Sequence, residues 1–360
     1  MMAGEPVTMR CEADAGFNEW LARSGGSVAC TTYQAGKLLL IGWNGRQVSL
    51  LPRTFQKAMG LDVAGGRLVL ATQHEVFWFA DAPLLAPEFL PDQPNRYDAL
   101  YLPRVLYFTG DLNVHDLALG TDGLWLVASR FSCLARLSEE YSFIPVWRPP
   151  FVSDFVPEDR CHLNGLALLD GQPKTVTVLG MTDTPGGWRA NKATGGVLLD
   201  VPTGETILSG LAMPHSPRWQ QERLWVLNSG TGELLQVDTE RGQAEVVCAL
   251  PGYVRGLTVV GNVALVGLCK IRERHIFGGL PVQTRYKQLR CGIALVDLQR
   301  GIQIGLFEFT AGVEEIYDLR FLPGRQRPNI LAPGQPGVRE GFPAPDFSYW
   351  LRPDKQLPLE

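Results

Sequence analysis

Short apolar runs rich in Val, Leu, Ile and aromatics recur along the chain, and apolar residues almost nowhere return with helical spacing. Five are plain: Arg67-Leu-Val-Leu-Ala-Thr, Leu124-Trp-Leu-Val-Ala-Ser, Thr175-Val-Thr-Val-Leu-Gly, Arg223-Leu-Trp-Val-Leu-Asn and Asn262-Val-Ala-Leu-Val-Gly. Each is bounded by Gly, Asp, Asn or Pro turns, the pattern of a buried strand. Each also follows a similar segment across a turn, beginning at Ala58, Val114, Leu163, Pro214 and Val254. A sixth such segment, Ile316-Tyr-Asp-Leu-Arg-Phe, ends in Leu-Pro-Gly with no second strand after it.

A strand–turn–strand unit met six times predicts an all-β, six-bladed β-propeller. Blade 4 is the cleanest, with strands predicted at Pro214–Gln220, Arg223–Ser229, Glu233–Asp238 and Gln243–Leu250. The strands missing from the sixth unit stand at the other end of the chain, as Ser27–Tyr33, Lys37–Trp43 and Gln47–Leu51. N-terminal strands that complete the C-terminal blade would close the ring and remove its exposed edges. The expected organisation is an N-terminal segment with a short helix (1–26), the propeller (27–323) and a Pro-rich tail (324–360). Residues 10–24 are expected as the helix, and the tail as extended chain draped over a face or mobile.

Composition narrows the class. The 33 basic and 37 acidic residues give a formal charge of −4, which argues against a general nucleic-acid binder. No apolar run has the length of a membrane span, and the first residues lack a secretory signal pattern. The seven cysteines never form a Cys-x-x-Cys pair, so reduced thiols and a cytoplasmic location are expected.

In a propeller the first strand of each blade lines the central channel, and side chains two apart share a side. Alignment of the six inner strands stacks two rings. The inner ring is Met59, His115, Asn164, His215, Arg255 and Tyr317; the ring nearer the mouth is Lys57, Asn113, His162, Met213, Tyr253 and Glu315. Only five histidines occur in the chain, and three fall in these rings. The plain reading is a polar channel plugged by hydrogen-bonded side chains. The sharper one is a functional site, because converging His, Asn, Arg, Tyr and Glu cost desolvation that apolar packing avoids.

The second strands end in polar residues at the same mouth: Gln73-His74, Ser129-Arg130, Thr182-Asp183, Asn228-Ser229 and Cys269-Lys270. Two insertions leave from there, a Gly-rich 182–196 with Trp188, Arg189 and Lys192, and 270–290 with Lys270, Arg272, Arg274, Arg285, Lys287 and Arg290 against Glu273. Cations over one mouth of an acidic protein suggest a small anionic molecule or an acidic peptide. Candidate substrate-binding residues are therefore Arg255, Lys57, Arg130, Asn228, Lys270 and Tyr253. His115 or His215 is the candidate general base, with Tyr317 as acid. A divalent transition metal (zinc, iron or manganese) is the candidate cofactor, held by His115, His162, His215, Asn164 and Glu315. Asp116 and Asp318, on the other side of their strands, read as making structural hydrogen bonds inside the blades. No Gly-x-Ser-x-Gly, phosphate loop or dinucleotide fingerprint occurs, so no nucleotide cofactor is expected.

Thr31-Thr-Tyr-Gln-Ala-Gly-Lys-Leu, Val114-His-Asp-Leu-Ala, Cys161-His-Leu-Asn-Gly-Leu-Ala, Met213-Pro-His-Ser-Pro-Arg-Trp and Leu227-Asn-Ser-Gly-Thr-Gly together carry a resemblance. Over about 25–335 the chain resembles a bacterial family of conserved hypothetical proteins known only as a domain of unknown function. More distantly it is similar to the gluconolactonase and strictosidine synthase-like six-bladed superfamily. That resemblance implies a divalent cation on the channel axis, with Glu315 and Asn164 matching two ligands, while His115, His215 and Arg255 depart from the set. The expected function is an enzyme acting on an amino acid, peptide or carboxylate by histidine-centred acid/base or metal-assisted hydrolysis, isomerisation or tailoring. The alternative is a non-catalytic propeller presenting a basic face to a protein or peptide.

Overall fold

The apolar runs are strands in the computed structural model, which describes residues 8–271 and 278–352. They build six antiparallel sheets. From the innermost strand outward, blade 1 is Leu61–Ala64, Arg67–Ala71, Glu75–Asp81 and Ala99–Phe108. Blade 2 is Val114–Gly120, Gly123–Ala128, Cys133–Arg136 and Ile144–Trp147. Blade 3 is Leu163–Leu169, Gln172–Val178, Gly196–Asp200 and Thr206–Leu211. Blade 4 is Pro214–Gln220, Arg223–Asn228, Glu233–Asp238 and Gln243–Ala249. Blade 5 is Tyr253–Val260, Val263–Cys269, Gly292–Asp297 and Ile302–Ala311. In blade 6 the innermost strand Asp318–Pro323 pairs with Gly26–Thr32, Thr31 opposite Asp318, and Lys37–Trp43 and Val48–Thr54 follow. Each inner strand contacts those of the blades before and after it, the sixth touching the first, so the ring is closed.

Both faces of each sheet are covered by neighbouring blades, which is why the strands read as continuous apolar runs rather than alternating ones. Leu38, Leu40, Leu68, Leu70 and Phe79 pack together between blades 6 and 1, and Leu227, Val254, Leu257 and Val266 between blades 4 and 5. Full burial of such a side chain is worth roughly 1.5–3 kcal/mol.

Two terminal segments differ from the sequence expectation. Arg10–Ala13 is a strand paired with Ile302–Ala311, so the helix begins only at Ala15 and spans Ala15–Arg23. Asp14 caps it by accepting the Phe17 N–H at 2.8 Å, and Phe17 and Leu21 are its buried face. The tail does not merely drape: Pro328–Ile330 pairs in parallel with Ala99–Phe108 as a fifth strand of blade 1. Its proline stands at an edge, where the missing N–H costs the ladder nothing.

Just beyond the candidate rings, the inner strands alternate around the ring. Blades 1, 3 and 5 carry Gly60, Gly165 and Gly256; blades 2, 4 and 6 carry Asp116, Ser216 and Asp318. Each polar side chain accepts an amide N–H of the following blade: Asp116 from Leu166, Ser216 from Gly256, Asp318 from Leu61. The glycines permit the approach, since a Cβ on Gly165 would lie 2.4 Å from Pro217 Cδ, and one on Gly256 3.1 Å from Asp318 Cα. Arg320 and Arg218 complete this waist. Arg320 binds Asp62 at 2.9 Å, Asp318 at 2.6 Å and Asp116 at 3.3 Å, while Arg218 binds Asp116 at 2.9 Å and Asp318 at 3.4 Å. Asp116 and Asp318 are structural: each accepts an N–H inside its own blade, from Leu117 and from Leu319, and each also reaches across to other blades.

Candidate active site at the channel mouth

Four inner strands are entered through a non-glycine residue in the left-handed region: Lys57 (φ 50°), Asn113 (φ 54°), His162 (φ 51°) and Met213 (φ 50°). That conformation costs L-residues roughly 1–2 kcal/mol. In blades 2 and 4 the turn aims a carbonyl at the imidazole two residues on: His115 Nδ1 lies 3.0 Å from Asn113 O, and His215 Nδ1 lies 2.9 Å from Met213 O. A carbonyl only accepts, so both Nδ1 atoms carry the proton. The end of the second strand repeats the constraint. Ser129 Oγ is 2.7 Å from His115 Nδ1 and donates its own proton to Leu163 O; Ser229 Oγ is 3.0 Å from His215 Nδ1.

These imidazoles line a cavity of about 210 Å³ at the channel mouth together with His162, Tyr253, Arg255, Glu315 and Tyr317. Larger clefts lie elsewhere, beside Arg46 and Arg327, beside Phe89 and Trp350, and beside Lys174 and Arg241, away from this chemistry. Burial, then the His162 and Arg255 charges, hold His115 well below the usual histidine range; burial and then Arg255 do the same for His215. Both are neutral at neutral pH. Arg255 is raised: burial opposes its charge, and the Tyr317 and Tyr253 phenols and the Glu315 carboxylate outweigh burial. Burial pushes the Tyr253 and Tyr317 phenols up, so both stay protonated. Cys269, behind this wall, is pushed up to about 12 by burial and Glu315, which makes it no thiolate nucleophile.

The Arg255 guanidinium lies 3.4 Å from the centroid of the Tyr317 ring, which stacks on Tyr33. Arg255 Nη2 and Tyr317 Oη are buried, and neither has a hydrogen-bond partner among the described residues. A buried orphan donor costs about 1–3 kcal/mol. Across the cavity, no hydrogen bond among the described residues reaches His215 Nε2.

The family model for Domain of unknown function (DUF4915) matches residues 15–331. The chain belongs to this family. None of the curated proteins matches it. Among solved structures, the crystal structure of a nidogen/laminin complex is similar with a TM-score of 0.49 and 10% identity, covering 83% of this chain and 98% of that one. At that level the likeness carries no argument about ligand or partner.

In this DUF4915 chain the structure gathers His115, His162, His215, Arg255, Tyr253, Glu315 and Tyr317, and leaves the other candidates outside the cavity. Asn164 is committed to the fold, donating to Pro214 O at 3.0 Å and accepting from Thr177 Oγ1 at 2.6 Å. Asn228 likewise accepts the Ala212 N–H at 2.8 Å. Arg130 pairs with Asp111 at 2.8 Å, and Lys57 lies 5.4 Å from the Tyr33 ring centroid. Lys270 donates its backbone N–H to Glu314 O, and its side chain does not line the cavity. Arg130 and Asn228 miss by one residue. Ser129 and Ser229, beside them in the sequence, are the side chains that reach the histidines.

Four of the five expected metal ligands line the cavity, His115, His162, His215 and Glu315, and Asn164 does not. Asn164 is spoken for, and His115 Nε2 and His162 Nε2 face each other at 3.1 Å, a hydrogen-bond distance. Among the described residues no three His, Cys, Asp or Glu side chains are grouped to hold a metal ion. Sequence reasoning also missed Asp159, whose Oδ1 lies 2.8 Å from His162 Nδ1. Two cations of the second insertion are individually paired: Arg285 with Glu233 at 2.7 Å and Arg290 with Glu308 at 3.4 Å. Arg272, Glu273 and Arg274 lie outside the described residues.

Proposed function

We propose that this propeller is an enzyme acting on a small anionic substrate, an amino acid, a peptide end or a carboxylate, by histidine-centred proton transfer at the channel mouth. The observation that carries the reading is the pair of buried orphan donors, Arg255 Nη2 and Tyr317 Oη, on the wall of a cavity that also holds neutral imidazoles. A carboxylate or phosphate oxygen would satisfy both donors with charge-assisted bonds. His215, with Nδ1 fixed as donor, offers the Nε2 lone pair as general base. Its depressed basicity makes it a weak base that stays ready at neutral pH. Tyr317 and Arg255 act as the anchor rather than as acid, because burial keeps the phenol from giving up its proton. Hydrolysis, isomerisation and related tailoring steps all fit this set. Proton transfer between imidazoles and an anchored anion needs no metal, and no step is routed through one.

The reading as a binding module with a basic face is supported less well. Arg130, Arg285 and Arg290 each face an acidic partner and are screened by it. The test is calorimetric titration of the full chain with glycine, lactate, acetate and phosphate, alongside Arg255→Gln. Saturable binding that weakens at least about tenfold in the variant supports the enzyme reading, since a hydrogen bond to a charged group is worth about 1.5–3 kcal/mol. Binding unchanged by Arg255→Gln, or no binding of any of the four, counts for the module.

A further inference from the structure

The cleft beside Arg46 and Arg327 has a volume of about 480 Å³ and lies where three parts of the chain meet. Blade 6 supplies one wall and, from the turn between Lys37–Trp43 and Val48–Thr54, Arg46. The loop ahead of Ala99–Phe108 supplies Arg96 and Tyr97, and the tail supplies Arg327. Three arginines thus line one cleft, and no Asp or Glu is among the residues lining it.

The tail is pinned at this point. The Trp43 N–H donates to Gln326 O at 2.8 Å, and a Cβ on Gly42 would lie 2.3 Å from that same oxygen. Asp98 accepts the N–H groups of Gln326 and Arg327, each at 2.8 Å, and gives its own N–H to Arg327 O at 3.1 Å. Both backbone polar groups of Arg327 are therefore held, and both oxygens of the adjoining carboxylate are engaged by backbone.

The arginines of this seam fall into two sets. Arg325 pairs with Asp81 at 2.8 Å, and Arg53 donates to Ile330 O at 2.7 Å and to Asn329 Oδ1 at 2.8 Å. Those two clasp the tail to the blades. Arg46, Arg96 and Arg327 have no ion pair among the described residues; Arg96 reaches only the Gln93 side-chain oxygen and lies 5.8 Å from the Tyr97 ring centroid. The Nε of Arg327 is buried, with no hydrogen-bond partner among the described residues. A buried N–H on a permanent cation is costly until an acceptor arrives.

We propose that this cleft is a second anion site, built for a phosphate monoester and separate from the channel mouth. Charge decides between anion classes. A carboxylate is matched by a single guanidinium fork, whereas a phosphate monoester offers three terminal oxygens and nearly two negative charges at neutral pH. Three arginines without a lining carboxylate match the phosphate. The remaining wall sets the body of the ligand: Leu40, Leu51 and Pro328 offer apolar surface, and Asn44, Ser49 and Asn95 offer hydrogen bonds. That mixture suits a compact sugar rather than an acyl chain, and the cleft has more than twice the 210 Å³ of the mouth cavity.

The test is calorimetric titration of the full chain with ribose 5-phosphate, ribose and inorganic phosphate, repeated on Arg327→Gln, Arg46→Ala/Arg96→Ala and Arg255→Gln. Ribose 5-phosphate is expected to bind wild type and Arg255→Gln alike, and each cleft variant at least about tenfold more weakly, while ribose does not bind. Arg46 and Arg96 are exposed, so the double variant keeps its fold and decides the matter if Arg327→Gln does not fold. No saturable binding of ribose 5-phosphate to wild type overturns the proposal. So does binding that the double variant leaves unchanged, or that Arg255→Gln alone weakens. Inorganic phosphate bound as tightly as ribose 5-phosphate overturns the assignment of a monoester. Acetate and lactate, which carry no phosphate, read the mouth, and ribose 5-phosphate in Arg255→Gln reads the cleft, so either reading can fail while the other stands.

Discussion

The waist and the mouth of this channel are made from the same six inner strands, and both bury arginine. At the waist, Arg218 and Arg320 meet Asp62, Asp116 and Asp318, with the carbonyls of Leu166, Pro217, Leu257 and Leu319 taking further N–H groups. At the mouth, Arg255 stacks on a tyrosine and keeps a buried Nη2 without a partner among the described residues. Satisfied charge fixes a fold, and unsatisfied polar groups beside a cavity await something else. The contrast separates structural polarity from candidate chemistry within one channel, where burial alone would not.

The comparison can be broken most forcefully at the waist. Asp318→Ala leaves two buried guanidinium groups without that shared partner and is expected to cost about 3–5 kcal/mol in urea denaturation. A loss below 1 kcal/mol would erase the distinction. Next, Gly165→Ala forces a Cβ against Pro217 and should cost about 1–3 kcal/mol by the same measurement. Acid sharpens the mouth side. His115 and His215 lie below the unfolded histidine value of about 6.5, so the unfolded chain binds more protons and stability falls as pH drops through about 6.5. A His115→Gln/His215→Gln double variant should flatten that slope in thermal melts taken from pH 7.5 to 5, and an unchanged slope would contradict the burial argument. Smallest is Ser229→Ala, which removes one hydroxyl from His215 and should cost about 1 kcal/mol.

Much of this architecture could be read from the chain alone. The six inner strands were legible because Gly-Leu, Asp-Leu and Ser-Pro pairs recur where blades approach each other, as in Asn164-Gly165-Leu166 and His115-Asp116-Leu117. The histidines were legible through alternation on those strands. What failed was aim at strand ends, where a turn replaces the two-residue period: Ser129, not Arg130, and Ser229, not Asn228, reach the site. Asp159 left no signal, since it lies in a loop whose left-handed backbone no local pattern announces. Arg10–Ala13 and Pro328–Ile330 became strands because outer blade edges offered unpaired backbone, a tertiary opportunity invisible in either segment.

Titration of the full chain with a small carboxylate, paired with a thermal melt of the same Arg255→Gln sample, tests the central claim most directly. The account predicts that the variant melts as high as the wild type or higher, because a buried orphan donor has been removed, while carboxylate affinity falls at least about tenfold. A variant that unfolds as readily as Asp318→Ala, or that binds as tightly as wild type, would show that Arg255 belongs to the scaffold and that the mouth is no site.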